Sequence, residues 1–278
     1  MIIDTHSHLN FNAYKDDLEQ VIGRCRDSGV SVINIGSKYE TSKKAIEIAE
    51  KYGDGFFASI GLHPIHAVPG LIKIKTDPEE GSFTTTGEDL DIEKYRKLAE
   101  SKKVVAIGEI GLDYYYKPKS KQKLALFKER QKEIFIRQLD LAQELNLPVV
   151  FHCRMAHQDL CEILDLKLKT ESYNLKGVVH CFTGNWEEAK RYLDMGFCLG
   201  FNGIIFKLDL EEVIKKTPLD KILVETDCPY LTPPEAGTER NEPVFVKYVI
   251  KKVAEVKGVE YEKLAEITVQ NAKNLFGI

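Results

Sequence analysis

The chain has 278 residues, 43% of them hydrophobic and 29% charged, with a formal net charge of −4 at neutral pH. These are the proportions of an ordinary soluble globular protein, with enough chain for a large core and a length suited to one α/β barrel of about 250 residues. The charge excludes a global pull toward nucleic acid, so any grip on phosphates must come from a local patch.

No apolar run approaches the roughly 18 residues of a membrane span, and the opening residues lack the basic-then-apolar order of a secretory signal. Six cysteines (Cys25, Cys153, Cys161, Cys181, Cys198 and Cys228) show no CxxC spacing and read as reduced, mostly buried thiols. A cytoplasmic protein with no membrane partner is therefore expected.

The first predicted strand, residues 2–5, runs into Asp4-Thr5-His6-Ser7-His8. Side chains alternate across a strand, so His6 and His8 share a side about 7 Å apart along the chain. Such a pair suits zinc or manganese, and two partly buried histidines without a metal is the alternative. Further strands are predicted at 31–36, 56–60, 104–108, 148–151, 177–179, 197–200 and 221–224. Helical periodicity marks 16–28, 41–52, 92–101, 124–146, 157–171, 186–195, 210–216, 243–256 and 261–276. Gly29, Gly53 and Gly196 follow three of these helices, where a left-handed cap is expected. The stretch 66–91 breaks the rhythm, and its Asp77-Pro78-Glu79-Glu80-Gly81 turn suggests a hairpin of 71–75 and 82–86. Short, continuously apolar strands indicate a sheet buried on both faces. Eight strand and helix units predict an α/β fold, a (β/α)8 TIM barrel forming a single domain over 1–278; a doubly wound open sheet is the weaker alternative.

In such a barrel, chemistry collects at the C-terminal strand ends. Those ends supply His6 and His8, His63, Glu109, His152, His180 and Asp227, so five of the seven histidines fall there. Six of these residues (His6, His8, Glu109, His152, His180 and Asp227) are too many for one catalytic zinc, which usually keeps about three protein ligands. Two ions resolve the count: His6, His8 and Asp227 on one, His152 and His180 on the other, and Glu109 shared. Ions about 3.5–4 Å apart activate water and clamp the oxygens of a phosphoryl displacement.

The same motifs resemble the TatD-family metal-dependent deoxyribonucleases. They are Asp4-Thr5-His6-Ser7-His8-Leu9, Gly61-Leu62-His63-Pro64, Gly108-Glu109-Ile110-Gly111-Leu112-Asp113-Tyr114-Tyr115, Val179-His180-Cys181-Phe182-Thr183-Gly184 and Glu225-Thr226-Asp227-Cys228-Pro229-Tyr230-Leu231-Thr232-Pro233, followed by Arg240-Asn241-Glu242-Pro243. They span nearly the whole chain in the family's order. The resemblance implies a (β/α)8 barrel, a divalent-metal hydrolase and metal binding by His6, His8, Glu109, His152, His180 and Asp227. It also implies DNA as substrate, single-stranded or at ends, cut by an exonuclease. Two departures stand out: Met155 where an acidic residue is common, and a 66–91 stretch longer than the family leads one to expect.

Asp227 and Glu109 are the expected catalytic residues, with Asp227 orienting or deprotonating the attacking water. The two divalent ions are Mg2+, Mn2+ or Zn2+. On the substrate side His63, Arg154, Tyr114 and Lys117 are candidates. His63 could hydrogen-bond a phosphate or only open a helix, and Arg154 could pair with phosphate or lie free on the surface. The stretch 114–123 sets aromatic rings beside Lys117, Lys119, Lys121 and Lys123, suited to stacking bases along a single strand or to a plain solvated loop. The competing function is a metal-dependent amide or ester hydrolase acting on a small molecule or an aminoacylated nucleic acid. A scaffold that has lost its metals is disfavoured, because every ligand position is filled.

Overall fold

The computed structural model describes residues 1–68, 70, 71, 80, 89–170 and 173–278. Eight parallel strands lie in sequence order in one sheet: β1 (Ile2–Ser7), β2 (Val30–Ile35), β3 (Phe56–Ile60), β4 (Val104–Asp113), β5 (Val149–Arg154), β6 (Gly177–Val179), β7 (Cys198–Phe201) and β8 (Ile222–Val224). Parallel neighbours need a crossover, and helices supply most of it. These are α1 (Leu18–Asp27), α2 (Tyr39–Tyr52), α3 (Ile92–Leu98), α4 (Lys121–Leu145), α5 (His157–Thr170), α6 (Trp186–Asp194) and α7 (Glu211–Lys216), with α8 (Val246–Lys257) and α9 (Tyr261–Phe276) at the end.

The expected eight-stranded barrel is therefore present. It closes through the ends of β1 and β8. Ser7 bridges to Cys228, the His8 amide donates to Cys228 O at 2.9 Å, and the Asp227 amide donates to His6 O at 2.8 Å. Buried Asp4 ties the same seam, accepting from the Thr226 amide at 2.9 Å and from its hydroxyl at 2.6 Å. Ile3, Ile33, Val105, Val150, Val178 and Leu223 meet in one buried cluster. Only a closed lumen lets residues of β1, β2, β4, β5, β6 and β8 meet this way. A larger apolar shell joins the strands to the helices.

Most predicted boundaries shift by a few residues, for local reasons. Helix α4 starts at Lys121 because the Ser120 hydroxyl caps it, accepting the Lys123 amide at 3.2 Å. It ends on Asn146 in the left-handed conformation. Residues 243–245, predicted as helix, form a 3-10 turn ahead of α8. Gly29, Gly53 and Gly196 carry φ of 64°, 75° and 90°, as their cap positions require. The predicted hairpin of 71–75 and 82–86 lies outside the described residues, apart from Leu71 and, in its turn, Glu80.

The largest correction concerns β4, which runs to Asp113 and not to 108. Glu109 is therefore inside the strand, where the β4–β5 register shifts between Gly108 and Ile110. A bulge lets one residue leave the ladder and re-aims its side chain. Gly111 makes the continued pairing possible, since a Cβ there would lie 2.0 Å from His152 O.

Candidate metal centre

Because all eight strands run the same way, their C-terminal ends share one face. His6 in β1, His8 just past it and Asp227 after β8 converge first. The two Nε2 atoms of His6 and His8 lie 3.2 Å apart, and Asp227 Oδ1 is 3.6 Å and 3.5 Å from them. Glu109 of β4, His152 of β5 and His180 after β6 form the second group. Glu109 Oε1 lies 2.5 Å from His152 Nδ1 and 2.7 Å from His180 Nε2, while its Oε2 lies 3.5 Å from His6 Nε2. The two oxygens of one carboxylate thus face different ligand groups.

These residues fit a cation on donor chemistry. His8 Nδ1 faces the Ile35 carbonyl at 3.0 Å, so it carries the proton and leaves an Nε2 lone pair aimed at His6 and Asp227. Lone pairs and carboxylates packed this closely repel unless a positive charge lies among them. The potential agrees. Burial pulls the His180 ring down, yet Glu109 beside it more than reverses this and raises it well above an ordinary histidine. Burial likewise raises Glu109, and the surrounding His180, His63 and His152 hold it well below the usual carboxylate range. Asp227 is also lowered: burial opposes this, but the His8 hydrogen bond and the His6 and His180 charges win.

Supporting hydrogen bonds fix these groups. Glu225 Oε1 lies 3.4 Å from His180 Nδ1 and accepts from the Cys181 amide at 2.7 Å and Asn202 Nδ2 at 3.0 Å. Asn241, from the motif near the end of the chain, donates to Thr226 O at 3.0 Å and Tyr230 O at 2.6 Å. It braces the turn carrying Asp227, whose φ of 58° is unusual for a residue with a side chain. Asp113 is a site residue that reading the strand ends missed. Its Oδ2 lies 3.1 Å from His152 Nε2 and accepts from Arg154 Nε at 2.9 Å and Nη2 at 2.6 Å. Histidine ligands characteristically keep such a carboxylate on the far nitrogen. Its place in Gly111-Leu112-Asp113, two residues before the exposed tyrosines, was the only signal, and without the true length of β4 it pointed nowhere.

The substrate-side candidates divide. His63 faces the centre, with Nε2 3.2 Å from His152 Nδ1 and 3.5 Å from Glu109 Oε1. Its Nδ1 accepts the Ile65 amide at 3.0 Å, so the neutral ring presents an N–H donor at Nε2. Burial and the neighbouring His152 push it down to about 4, which keeps it neutral. His63, Asp113 and His152 also converge closely enough to suggest a metal group. That His63 proton, and the engagement of Asp113 with Arg154, argue against it. Arg154 is not the free surface arginine of the alternative reading: it is paired with Asp113 and lies 4.6 Å from the centroid of the Tyr115 ring. Tyr114, expected to face substrate, is instead buried: its hydroxyl donates to Asp159 Oδ2 at 2.8 Å, and its ring packs near Phe127. Tyr115 and Tyr116 are the exposed rings, and Tyr116 reaches the cavity. Lys117 is exposed and lies outside that cavity's lining; Met155 is exposed as well, with a φ of 56°. The cavity encloses about 440 Å³ and is lined by His8, His63, Glu109, Arg154 and Asp227 among others.

Residues 3–277 match the family model of the TatD related DNases. A metal-dependent hydrolase of Bacillus subtilis, YabD, whose function is uncharacterised, is 41% identical with both chains fully covered. A protein of Pantoea ananatis named as the 3'-5' ssDNA/RNA exonuclease TatD is 35% identical, again over both whole chains. Among solved structures, YJJV, a TatD homologue from Escherichia coli K12, superimposes with a TM-score of 0.80 at 28% identity, covering 100% of this chain and 98% of that one. With its barrel and its converging histidines and carboxylates, the chain belongs to the TatD-related DNase family of metal-dependent hydrolases.

Proposed function

We propose that this hydrolase removes nucleotides from single-stranded DNA ends with two divalent ions, held by the residues gathered at the strand ends. The observation that carries the reading is the split Glu109 carboxylate, one oxygen toward His152 and His180 and the other toward His6. His6, His8 and Asp227 would hold one ion, His152 and His180 the other, with Glu109 between. Mg2+, Mn2+ or Zn2+ there would supply a nucleophilic water at neutral pH and a positive clamp on phosphoryl oxygens. Asp227 starts ionised and takes the proton of the attacking water. The His63 N–H donates to a phosphate oxygen, and Arg154 with Tyr115 and Tyr116 offers planar surfaces to bases at the rim. The name of the Pantoea relative supports single-stranded ends as substrate. The ligands come from both ends of the chain, which supports reading 1–278 as one unit. A cytoplasmic location is supported by six free cysteines, and no helix among the described residues is long and apolar enough to cross a membrane.

The test is hydrolysis of end-labelled single- and double-stranded DNA by the metal-reconstituted protein, beside amide and ester panels. Chelator-sensitive mononucleotide release from single strands is expected. Release of amine or alcohol from the panels, with DNA left intact, would replace the nuclease reading by the amide or ester hydrolase one.

A further inference from the structure

Gly36-Ser37-Lys38 joins β2 to α2: the Gly36 carbonyl accepts the Glu109 amide at 3.2 Å, and Ser37 lines the same cavity without joining the converging histidines and carboxylates. Ser37 and Lys38 are buried at the N-terminal end of the 14-residue α2. Three donors from two places in the chain meet there. The Ser37 hydroxyl donates to Glu80 Oε1, His66 Nε2 lies 3.0 Å from that same oxygen, and Lys38 Nζ is 3.8 Å away. The amides of Ser37 and Lys38 are already taken by Thr41 Oγ1, at 2.9 Å and 3.0 Å. Side chains therefore make this grip, with the positive end of α2 behind it. Burial would raise the Glu80 carboxyl, but His66, Ser37 and Lys38 hold it at about 2.

A hydroxyl and an imidazole on one carboxylate oxygen, with an ammonium at ion-pair distance, also match a phosphate oxygen. The place is next to the chemistry. The His63 amide donates to Ser37 O at 2.8 Å, the His66 amide donates to His63 O at 2.9 Å, and the His63 ring faces Glu109. Glu80, like His66, comes from the 66–91 stretch and not from a strand end, whereas Ser37 and Lys38 are set by the β2–α2 connection of the barrel. We infer that Ser37, Lys38 and His66 form an anion subsite for a second phosphate of the substrate strand, and that Glu80 is its internal occupant, displaced when that phosphate binds. That the anion belongs to a nucleic-acid strand rests on the function proposed above; the subsite's preference for phosphate does not.

Calorimetric titration of inorganic phosphate into the metal-reconstituted full chain separates the two. Glu80→Ala should gain a phosphate site, or tighten an existing one by about tenfold, the worth of a charged hydrogen bond regained. Glu80→Gln keeps the size and loses the charge, and should show the same gain in smaller measure. Adding Lys38→Ala to either variant should abolish it. Titrations identical to wild type in both Glu80 variants, or a gain that survives Lys38→Ala, would overturn the subsite. With oligonucleotides, Lys38→Ala should raise KM for a substrate with two phosphodiesters more than for one with a single phosphodiester. Equal effects on both would show that the subsite takes no strand phosphate. If wild type cuts no oligonucleotide, the nuclease reading fails and the phosphate titrations still decide the subsite.

Discussion

The Asp113 carboxylate stands 3.1 Å from His152 Nε2, while the opposite nitrogen of that ring, Nδ1, lies 2.5 Å from Glu109. One side of the imidazole is thus anchored and the other is left for the metal centre. Asp113→Asn keeps the shape but can present its amide in place of an acceptor, which releases the ring. Metal affinity of the Glu109–His152–His180 group should fall about 10–100-fold, as for other carboxylates behind histidine ligands. Competition with a chromophoric chelator reads this directly, and an unchanged affinity would show that His152 is oriented by packing alone.

Glu109→Ala should weaken both ligand groups together, because one carboxylate faces each of them. His152→Ala should weaken mainly one. Metal content after dialysis against limiting ion distinguishes the cases. Two undisturbed sites in Glu109→Ala would remove the shared role.

Asp227 touches both His6 and His8 and is held ionised by them. Asp227→Asn retains an oxygen but loses charge and basicity. DNA binding should persist, metal binding at the His6–His8 group should weaken modestly, and turnover should fall on the order of 10²–10⁴, the usual worth of a general base. Single-turnover rates at saturating metal within a few-fold of wild type would mean that Asp227 is not the base.

The two faces of the tyrosine run should separate. Tyr114→Phe removes a hydroxyl bonded to Asp159 and should cost about 1 kcal/mol of stability with little change in KM. Tyr116→Ala should instead weaken single-strand binding by about 1–3 kcal/mol if a base stacks on it. Denaturant melts and fluorescence anisotropy measure the two effects, and the reverse pattern would refute the assignment.

Replacing Lys117, Lys119, Lys121 and Lys123 with alanine should flatten the salt dependence of single-strand binding by about 0.7 for each phosphate that these lysines neutralise. An unchanged slope would leave them as a solvated face.

The alternation of short apolar strands with amphipathic stretches carried the barrel, because burial on both sheet faces writes itself into hydrophobic runs. The converging histidines were equally legible as candidates, since His6, His8, His63, His152 and His180 all fall at the ends of predicted strands. Tertiary structure decided what depends on direction and distance. Only the bulge in β4 shows that Glu109 turns inward from mid-strand, with its oxygens divided between two groups. Only the continuation of that strand brings Asp113 behind His152, across 39 residues of chain. Tyr114, Tyr115 and Tyr116 are chemically alike in sequence, but the first is turned into the core beneath α4 and the other two face solvent. Glu80 offered no more than a charge in a long loop, and its meeting with Ser37, Lys38 and His66 exists because the fold closes distances that no local pattern encodes.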